Sequence, residues 1–430
     1  MSVLFRTPQM LIRYSVENFR SIRDRQELSL VASALKDLPN ALIRVEDFSQ
    51  SLLPVVAIYG ANASGKTNLL KALRFVCDSV RDSQRLWAPA NQIERPPFRM
   101  DEFRSRASAF EVDFLVSGSR FRYSFSLNDE EILSESLQAF PQGKSQLWYE
   151  RENGKFTFGR SLYGENRTIE SLTRRNSLFL SAAAQNNHVL LTPIFDWFCE
   201  QDFVLGGRSV SPNDRVVSLC KDDSHRDLLL KLLAAADLGV TGYRVEESEW
   251  PDEAKKIFDH VKQLLPSAVK MPDKLATLML VHGAGENEAV FPITEESSGT
   301  SALLKIIGPA IKSLEHGSVL CVDELDASLH PLLALHLVKM FNDSETNPKG
   351  AQLVFNTHDT NLLDNDVLRR DQVWFTEKDR RGATHLYPLS DFRPRRNENL
   401  ERGYLQGRFG AIPFLGTAKF HPLGSSEDNE

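Results

Sequence analysis

The sequence predicts an α/β fold in which a mixed sheet flanked by helices carries a phosphate-binding loop, an antiparallel β-layer and an inserted helical lobe. Three segments predict it. Leu52, Leu53, Val55, Val56, Ala57 and Ile58 read as a buried strand, which leads into GANASGKT (Gly60–Thr67) and then into Asn68, Leu69, Leu70, Lys71, Ala72, Leu73, Phe75 and Val76 at helical spacing. Far downstream, Ser318, Val319, Leu320, Cys321 and Val322 form a second apolar strand ending in Asp323 and Glu324. Gln352, Leu353, Val354, Phe355 and Asn356 form a third, ending in Thr357 and His358.

The strand–loop–helix setting gives the first segment its chemistry. Glycines let successive backbone N–H groups turn inward on a polyphosphate, and the following helix N-terminus adds its positive end. Gly60, Ala61, Asn62, Ala63, Ser64, Gly65, Lys66, Thr67 and Asn68 are therefore expected to surround a nucleoside triphosphate. Lys66 would reach the β- and γ-phosphates, and the Thr67 hydroxyl would ligate Mg2+. No NKxD string follows, so guanine specificity is not indicated and ATP is the expected nucleotide.

The stretch after this helix alternates: Phe110, Val112, Phe114 and Val116, then Phe121, Tyr123, Phe125 and Leu127 around Gly118. Leu147, Trp148 and Tyr149, then Phe156 and Phe158, continue the pattern around Asn153–Gly154, so antiparallel hairpins are predicted. From about residue 169 to residue 264 the spacing turns helical, as in Leu228, Leu229, Leu232, Leu233 and Ala236. No heptad persists, so a short helical protrusion is expected and a long coiled coil is not. The resulting division is residues 1–168 (phosphate loop and β-layer), 169–275 (helical lobe), 276–415 (second half of the sheet) and 416–430 (a flexible acidic tail).

At the second strand's end, Asp323 is placed to hold the metal through water, and Glu324 to polarise an attacking water. Paired acids at a strand end also occur in plain surface turns. The neighbouring residues favour the catalytic reading, because LDASLHP (from Leu325) comes at once and the Thr357–His358 strand end comes next.

This order resembles the ATP-binding-cassette (ABC) class of P-loop ATPases. The resemblance makes Asp323–Glu324 a Walker B pair, with Glu324, His358 and Lys66 catalytic, and it makes LDASLHP a D-loop containing Asp326. NTHD becomes the switch-histidine segment, with His358 contacting the γ-phosphate. ESSGTSALL (Glu296–Leu304) stands in the signature position; Ser298 and Gly299 match the usual LSGGQ, and Thr300 departs from it. Ser298 would cap a helix start, and Gly299 would let amides approach the nucleotide of an opposite subunit. Hydrolysis is then expected in a head-to-tail homodimer or higher homo-oligomer. IRYSVENFRSI (from Ile12) resembles the opening strand of SMC, RecF and OLD-type ATPases, which places Arg20 and Ser21 near the nucleotide; the plain alternative is a strand turn with a solvated arginine. Gln185 falls where strands give way to helices, the place of the γ-phosphate-sensing glutamine; a buried or capping glutamine is the simpler account. YLQGRFGAIPFLG (from Tyr404), VWFTEKD (from Val373) and LLKLLAAADLGVTGYRV (from Leu229) resemble RloA-type AAA family ATPases of abortive-infection and anti-phage gene pairs.

Composition fits an intracellular machine. The 430 residues, 41% apolar, can bury a large core with an accessory lobe. Cys77, Cys199, Cys220 and Cys321 are too scattered for a zinc site or a disulfide framework. The first residues lack a secretory pattern, and no apolar stretch nears the ~20 residues of a membrane span, so a cytoplasmic protein without membrane partners is expected. A net charge of −7 does not advertise nucleic-acid binding, although Arg393, Arg395, Arg396, Arg402 and Arg408 cluster locally; such a run grips phosphates or an acidic partner, or is a solvated face.

Three functions are compatible with these features. The RloA resemblance implies a sensor and scaffold ATPase that holds an effector encoded nearby, such as an RloB-like TOPRIM nuclease, until a phage trigger arrives. The SMC, RecF and OLD resemblance implies an ATPase acting on DNA ends or structure. A transporter subunit would need LSGGQ and a membrane partner, and neither is visible.

Overall fold

The computed structural model describes residues 9–413 apart from 47, 90, 207–215, 218, 222–224, 236–238, 265–273, 284–286, 328 and 397. The expected acidic tail lies outside the described residues. The strands are β1 Met10–Glu17, β2 Gln26–Ser29, β3 Val55–Gly60, β4 Ser108–Val116, β5 Ser119–Leu127, β6 Ile132–Ala139, β7 Gln146–Glu152 and β8 Lys155–Phe158. They continue as β9 Asp202–Val204, β10 Val240–Ser248, β11 Leu275–His282, β12 Ala289–Pro292, β13 Val319–Val322, β14 Gln352–Asn356, β15 Val373–Lys378 and β16 Thr384–Pro388.

One six-stranded sheet has the order β16-β15-β3-β14-β13-β9. Its strands run parallel except β16, which returns antiparallel at the edge. Helices cover both faces, which is why β3, β13 and β14 are buried throughout and read as unbroken apolar runs. Leu69, Leu70, Leu73 and Val76 of the Lys66–Asp82 helix pack on Val56, Ile58 and Val354. On the other face, Leu303, Leu304 and Ile307 of the Ser298–His316 helix and Leu337 and Val338 of the Pro331–Asn342 helix share a core with Val55, Ala57, Leu320 and Leu353.

The alternating stretch forms a seven-stranded antiparallel β-layer, β2-β1-β4-β5-β6-β7-β8. Its inward residues Phe110, Val112, Phe114, Phe121, Tyr123 and Phe125 join the core under the Lys66–Asp82 helix. The turns fall at Ser117–Gly118 (φ 50 and 75) and Asn153–Gly154 (φ 46 and 79), the positive pairs that two-residue hairpins require.

The region read as a helical lobe differs from expectation. The helices Asn166–Leu172, Phe179–Gln185 and Thr192–Glu200 do not protrude; Leu178, Phe179, Trp197 and Phe198 are buried in the core of the β-layer. Buried Glu135 of β6 fixes them there, accepting the N–H groups of Phe179 (2.7 Å) and Leu180 (3.0 Å) and the hydroxyls of Tyr123 (2.9 Å) and Tyr149 (2.8 Å). After the Arg226–Ala235 helix, β10 pairs with β11 and β11 with β12 in a three-stranded antiparallel sheet. A register shift between Val240 and Gly242 breaks the period-two signal of β10, which hides this strand from a periodicity reading.

Candidate functional site

β3 delivers the loop at Gly60, and the Lys66–Asp82 helix starts directly behind it. Gly65 adopts φ 113, and a Cβ there would collide with the Thr384 side chain, so both conformation and space demand glycine. Among the described residues, no backbone acceptor takes the N–H groups of Asn62, Ala63, Gly65, Lys66 and Thr67. Unclaimed donors at a helix start are the fit a polyphosphate needs. Lys66 Nζ donates to Gly60 O at 2.8 Å and Ala61 O at 3.2 Å, and it lies 3.1 Å from His358 Nε2. Burial lowers the Lys66 pKa, against the opposing pull of Glu324, Asp323 and Asp326.

Thr67 Oγ1 donates to Asp323 Oδ1 at 2.7 Å, joining the loop to the end of β13. The Asp323 N–H is held by Val204 O of β9 at 2.8 Å. Among the described residues, no cluster of three or more His, Cys, Asp or Glu is poised for a metal. Mg2+ needs none, because it keeps waters and phosphate oxygens and takes one or two protein ligands, as this hydroxyl–carboxylate pair can supply. Glu324 is exposed and sits at φ 53, a left-handed conformation seldom adopted by residues with a Cβ.

Asn356 is the residue whose role sequence reasoning missed. Its buried amide donates to Asp323 Oδ1 at 2.5 Å and accepts the Glu324 N–H at 2.8 Å, so one side chain orients both acids. The available signal was an asparagine closing an otherwise apolar strand.

The switch segment is tied to the D-loop within one chain. Asp326 Oδ1 accepts from Thr357 Oγ1 at 2.6 Å and from the His358 N–H at 3.1 Å, while Tyr59 Oη donates to Asp359 O at 3.1 Å. Burial, and then the Lys66 charge, hold the His358 pKa below its ordinary value; Asp326 and Glu324 pull the other way. Ser328, in the same loop, lies outside the described residues.

The Phe19–Ile22 turn is pinned beside the phosphate loop. Ser21 Oγ accepts from Asn68 Nδ2 at 2.7 Å and bonds Thr384 Oγ1 at 2.8 Å, and Thr384 donates to Ser64 O at 2.8 Å. Arg20 is exposed on this turn at φ 52, its N–H held by Pro96 O at 2.7 Å. Thr376 bonds the Ser64 hydroxyl at 2.6 Å. Sequence reasoning assigned no role to Thr376 or Thr384.

Two expectations are corrected. Gln185 is exposed at the end of the Phe179–Gln185 helix. That helix bonds through Ser181 to Gln84, beyond the far end of the Lys66–Asp82 helix, which is about 25 Å long at 1.5 Å per residue. The strand that reaches Asp323 is β9, so Leu205 and Gly206 follow at this place and Gln185 does not. The second correction concerns the signature helix. Its cap is Ser297, whose Oγ accepts the Thr300 N–H at 3.1 Å, and Ser298 is the first helical residue. The Ser298 side chain lies outside the described residues. Among the described residues, no hydrogen bond joins Ser297, Gly299 or Thr300 to Gly60–Thr67 of the same chain.

Among the described residues no helix is long and apolar enough to cross a membrane. No curated protein matches the chain. Solved structures that align with it include the SMC head domain from Thermotoga maritima, at 13% identity, 88% of this chain and 98% of that one, and a TM-score of 0.39. The SMC head with an extended coiled coil bound to the C-terminal domain of ScpA, from Pyrococcus furiosus, aligns at 13% identity, 89% and 97% coverage, and 0.41. The recombination mediator protein RecF with ATP aligns at 13% identity, 90% and 100% coverage, and 0.36. Likeness at this level identifies no activity. Residues 55–364, well over half of the chain, match the family described as “AAA domain, putative AbiEii toxin, Type IV TA system”. The chain therefore belongs to that AAA-domain family of P-loop ATPases, and its parallel strands around Gly60–Thr67, under an antiparallel β-layer, have the ABC-type P-loop NTPase fold.

Proposed function

We infer that the protein is an Mg2+-dependent ATPase that sandwiches ATP between two copies of itself and works as the sensor and scaffold of an abortive-infection system. The observation that carries the ATPase reading is the Thr67–Asp323 bond, with Asn356 orienting Glu324 beside it. The phosphate-loop amides and Lys66 would bind the triphosphate, and Arg20 would approach it from the adjacent turn. Thr67 and, through water, Asp323 would hold Mg2+, which supplies charge neutralisation on the phosphate oxygens. Glu324 orients and deprotonates the attacking water. His358 donates to the γ-phosphate once Lys66 turns away to the nucleotide. Ser298 and Gly299 of a second copy close the site, which agrees with the absence of described bonds between that turn and the chain's own loop. Catalysis of this kind is positioning plus electrostatic stabilisation.

The defence role is supported by the family description, whose words are “putative AbiEii toxin, Type IV TA system”, and by the RloA-like C-terminal string. An effector encoded nearby, such as an RloB-like TOPRIM nuclease, would be held by the assembled ATPase until a phage trigger arrives. Co-expression with the neighbouring gene should give toxicity only on infection; a neighbour encoding a permease refutes this role. The second reading, a cytoplasmic ATPase acting on DNA ends or structure, is favoured by exposed Arg393, Arg395, Arg396 and Arg402, which have no carboxylate partner among the described residues. Stimulation of ATP turnover by linear DNA would select it.

A further inference from the structure

We propose that the His282–Glu296 pair positions the signature turn, locking the inserted three-stranded sheet to the residues that close over a neighbouring copy's nucleotide. The proposal rests on the sandwich reading above. Glu296 opens ESSGTS, and its side chain is only 9% exposed. His282, the last residue of β11, donates from Nε2 to Glu296 Oε1 at 2.8 Å. Its ring also meets the edge of Phe291 on β12, with centroids 5.5 Å apart. A carboxylate this little exposed needs a hydrogen-bond partner, and among the described side chains His282 alone supplies one. The pair therefore decides where Glu296 sits.

The turn is a stiff extension of that anchor. The Glu296 N–H donates to Ile293 O at 3.4 Å, Ser297 Oγ takes the Thr300 N–H at 3.1 Å, and Ser301 Oγ reaches back to Ile293 O at 3.5 Å. Below it, Tyr243, Leu278 and Leu280 of the inserted sheet share a core with Leu303, Leu304 and Ile307 of the signature helix. A displacement of the sheet is carried to the helix start, because both ends of the contact are packed and hydrogen-bonded. Among the described residues, no hydrogen bond or ion pair joins the His282 side chain to its own chain's phosphate loop, so its influence falls on the other copy's nucleotide.

The test is complementation between variants of the full chain. His282→Ala should bind a fluorescent ATP analogue as the parent does but hydrolyse ATP about tenfold or more slowly, the loss expected for one charge-assisted hydrogen bond. His282→Gln, which keeps a donor, should recover most of the rate. Lys66→Ala is inactive alone yet carries an intact signature turn, so mixing it with His282→Ala should restore turnover. A control mixture of Lys66→Ala with Gly299→Trp tests the sandwich itself. If the control regains turnover and the His282→Ala mixture does not, the positioning role is refuted while the sandwich stands. If neither mixture regains it, the sandwich falls and the pair's role falls with it. Parental turnover by His282→Ala alone overturns the proposal directly.

Discussion

The Thr67 hydroxyl lies 2.7 Å from Asp323 Oδ1, although 256 positions separate the two residues along the chain. The parallel order β3-β14-β13 brings them together, with only β14 between the acid-bearing strand and the strand that delivers the phosphate loop. This contact and its surroundings have measurable consequences.

Glu324→Gln should retain ATP and lose hydrolysis by about 100-fold or more, the range a general base supplies. Glu324 bonds the core through its backbone N–H to Asn356, so the metal pair survives the change. Light scattering with ATP and Mg2+ should show a trapped dimer. Hydrolysis at the parental rate would show that another group activates the water.

Asn356→Ala removes the amide that holds Asp323 and Glu324 together. Leaving those partners unsatisfied costs about 1–3 kcal/mol, seen as a lower denaturation midpoint. Turnover should fall further than nucleotide affinity, since the acids lose orientation while the phosphate loop is untouched. An equal fall in both would place Asn356 in scaffold support only.

Gly65→Ala meets both an unfavourable φ of 113 and the Thr384 side chain. The left-handed backbone alone costs roughly 1–2 kcal/mol, and the collision adds to it. Calorimetric titration should show ATP binding lost or much weakened. Gly118→Ala, at φ 75 with open space around it, should pay the backbone cost without losing ATP.

His358 has a pKa below the ordinary value because of burial and the Lys66 charge. In nucleotide-free protein its ring is therefore neutral at pH 7, and Nε2 can accept a hydrogen bond from Lys66. An NMR titration of the His358 ring should show a midpoint below about 6.5. Lys66→Ala removes the neighbouring positive charge and should raise that midpoint. A midpoint that stays fixed in the variant would leave burial as the whole cause.

Lys66→Ala should weaken ATP binding about 10- to 100-fold, the worth of a charge-assisted contact to phosphate. Equilibrium dialysis with labelled ATP measures this. Unchanged affinity would mean that the phosphate-loop amides suffice without the lysine.

The strands and the phosphate loop were legible because their physics is local. β3, β13 and β14 are buried on both faces and so appear as uninterrupted apolar runs, and the loop's glycines and its lysine sit at fixed spacing within a few residues. The hairpins of the β-layer were legible for the same reason, as alternation around Gly118 and Asn153–Gly154. What the sequence could not decide was long-range. Gln185 looked well placed along the chain, but Glu135 and the β-layer draw its helix to the far end of the Lys66–Asp82 helix. Ser298 looked like the cap, and the Thr300 N–H chose Ser297 instead. Strand β10 was masked by its own bulge. Asn356 lies in NTHD and Thr376 in VWFTEKD, but nothing in those strings, or around Thr384, marks these side chains as supports of the site; sheet order and hydrogen-bond satisfaction bring them to it, and both are settled only when the whole chain packs.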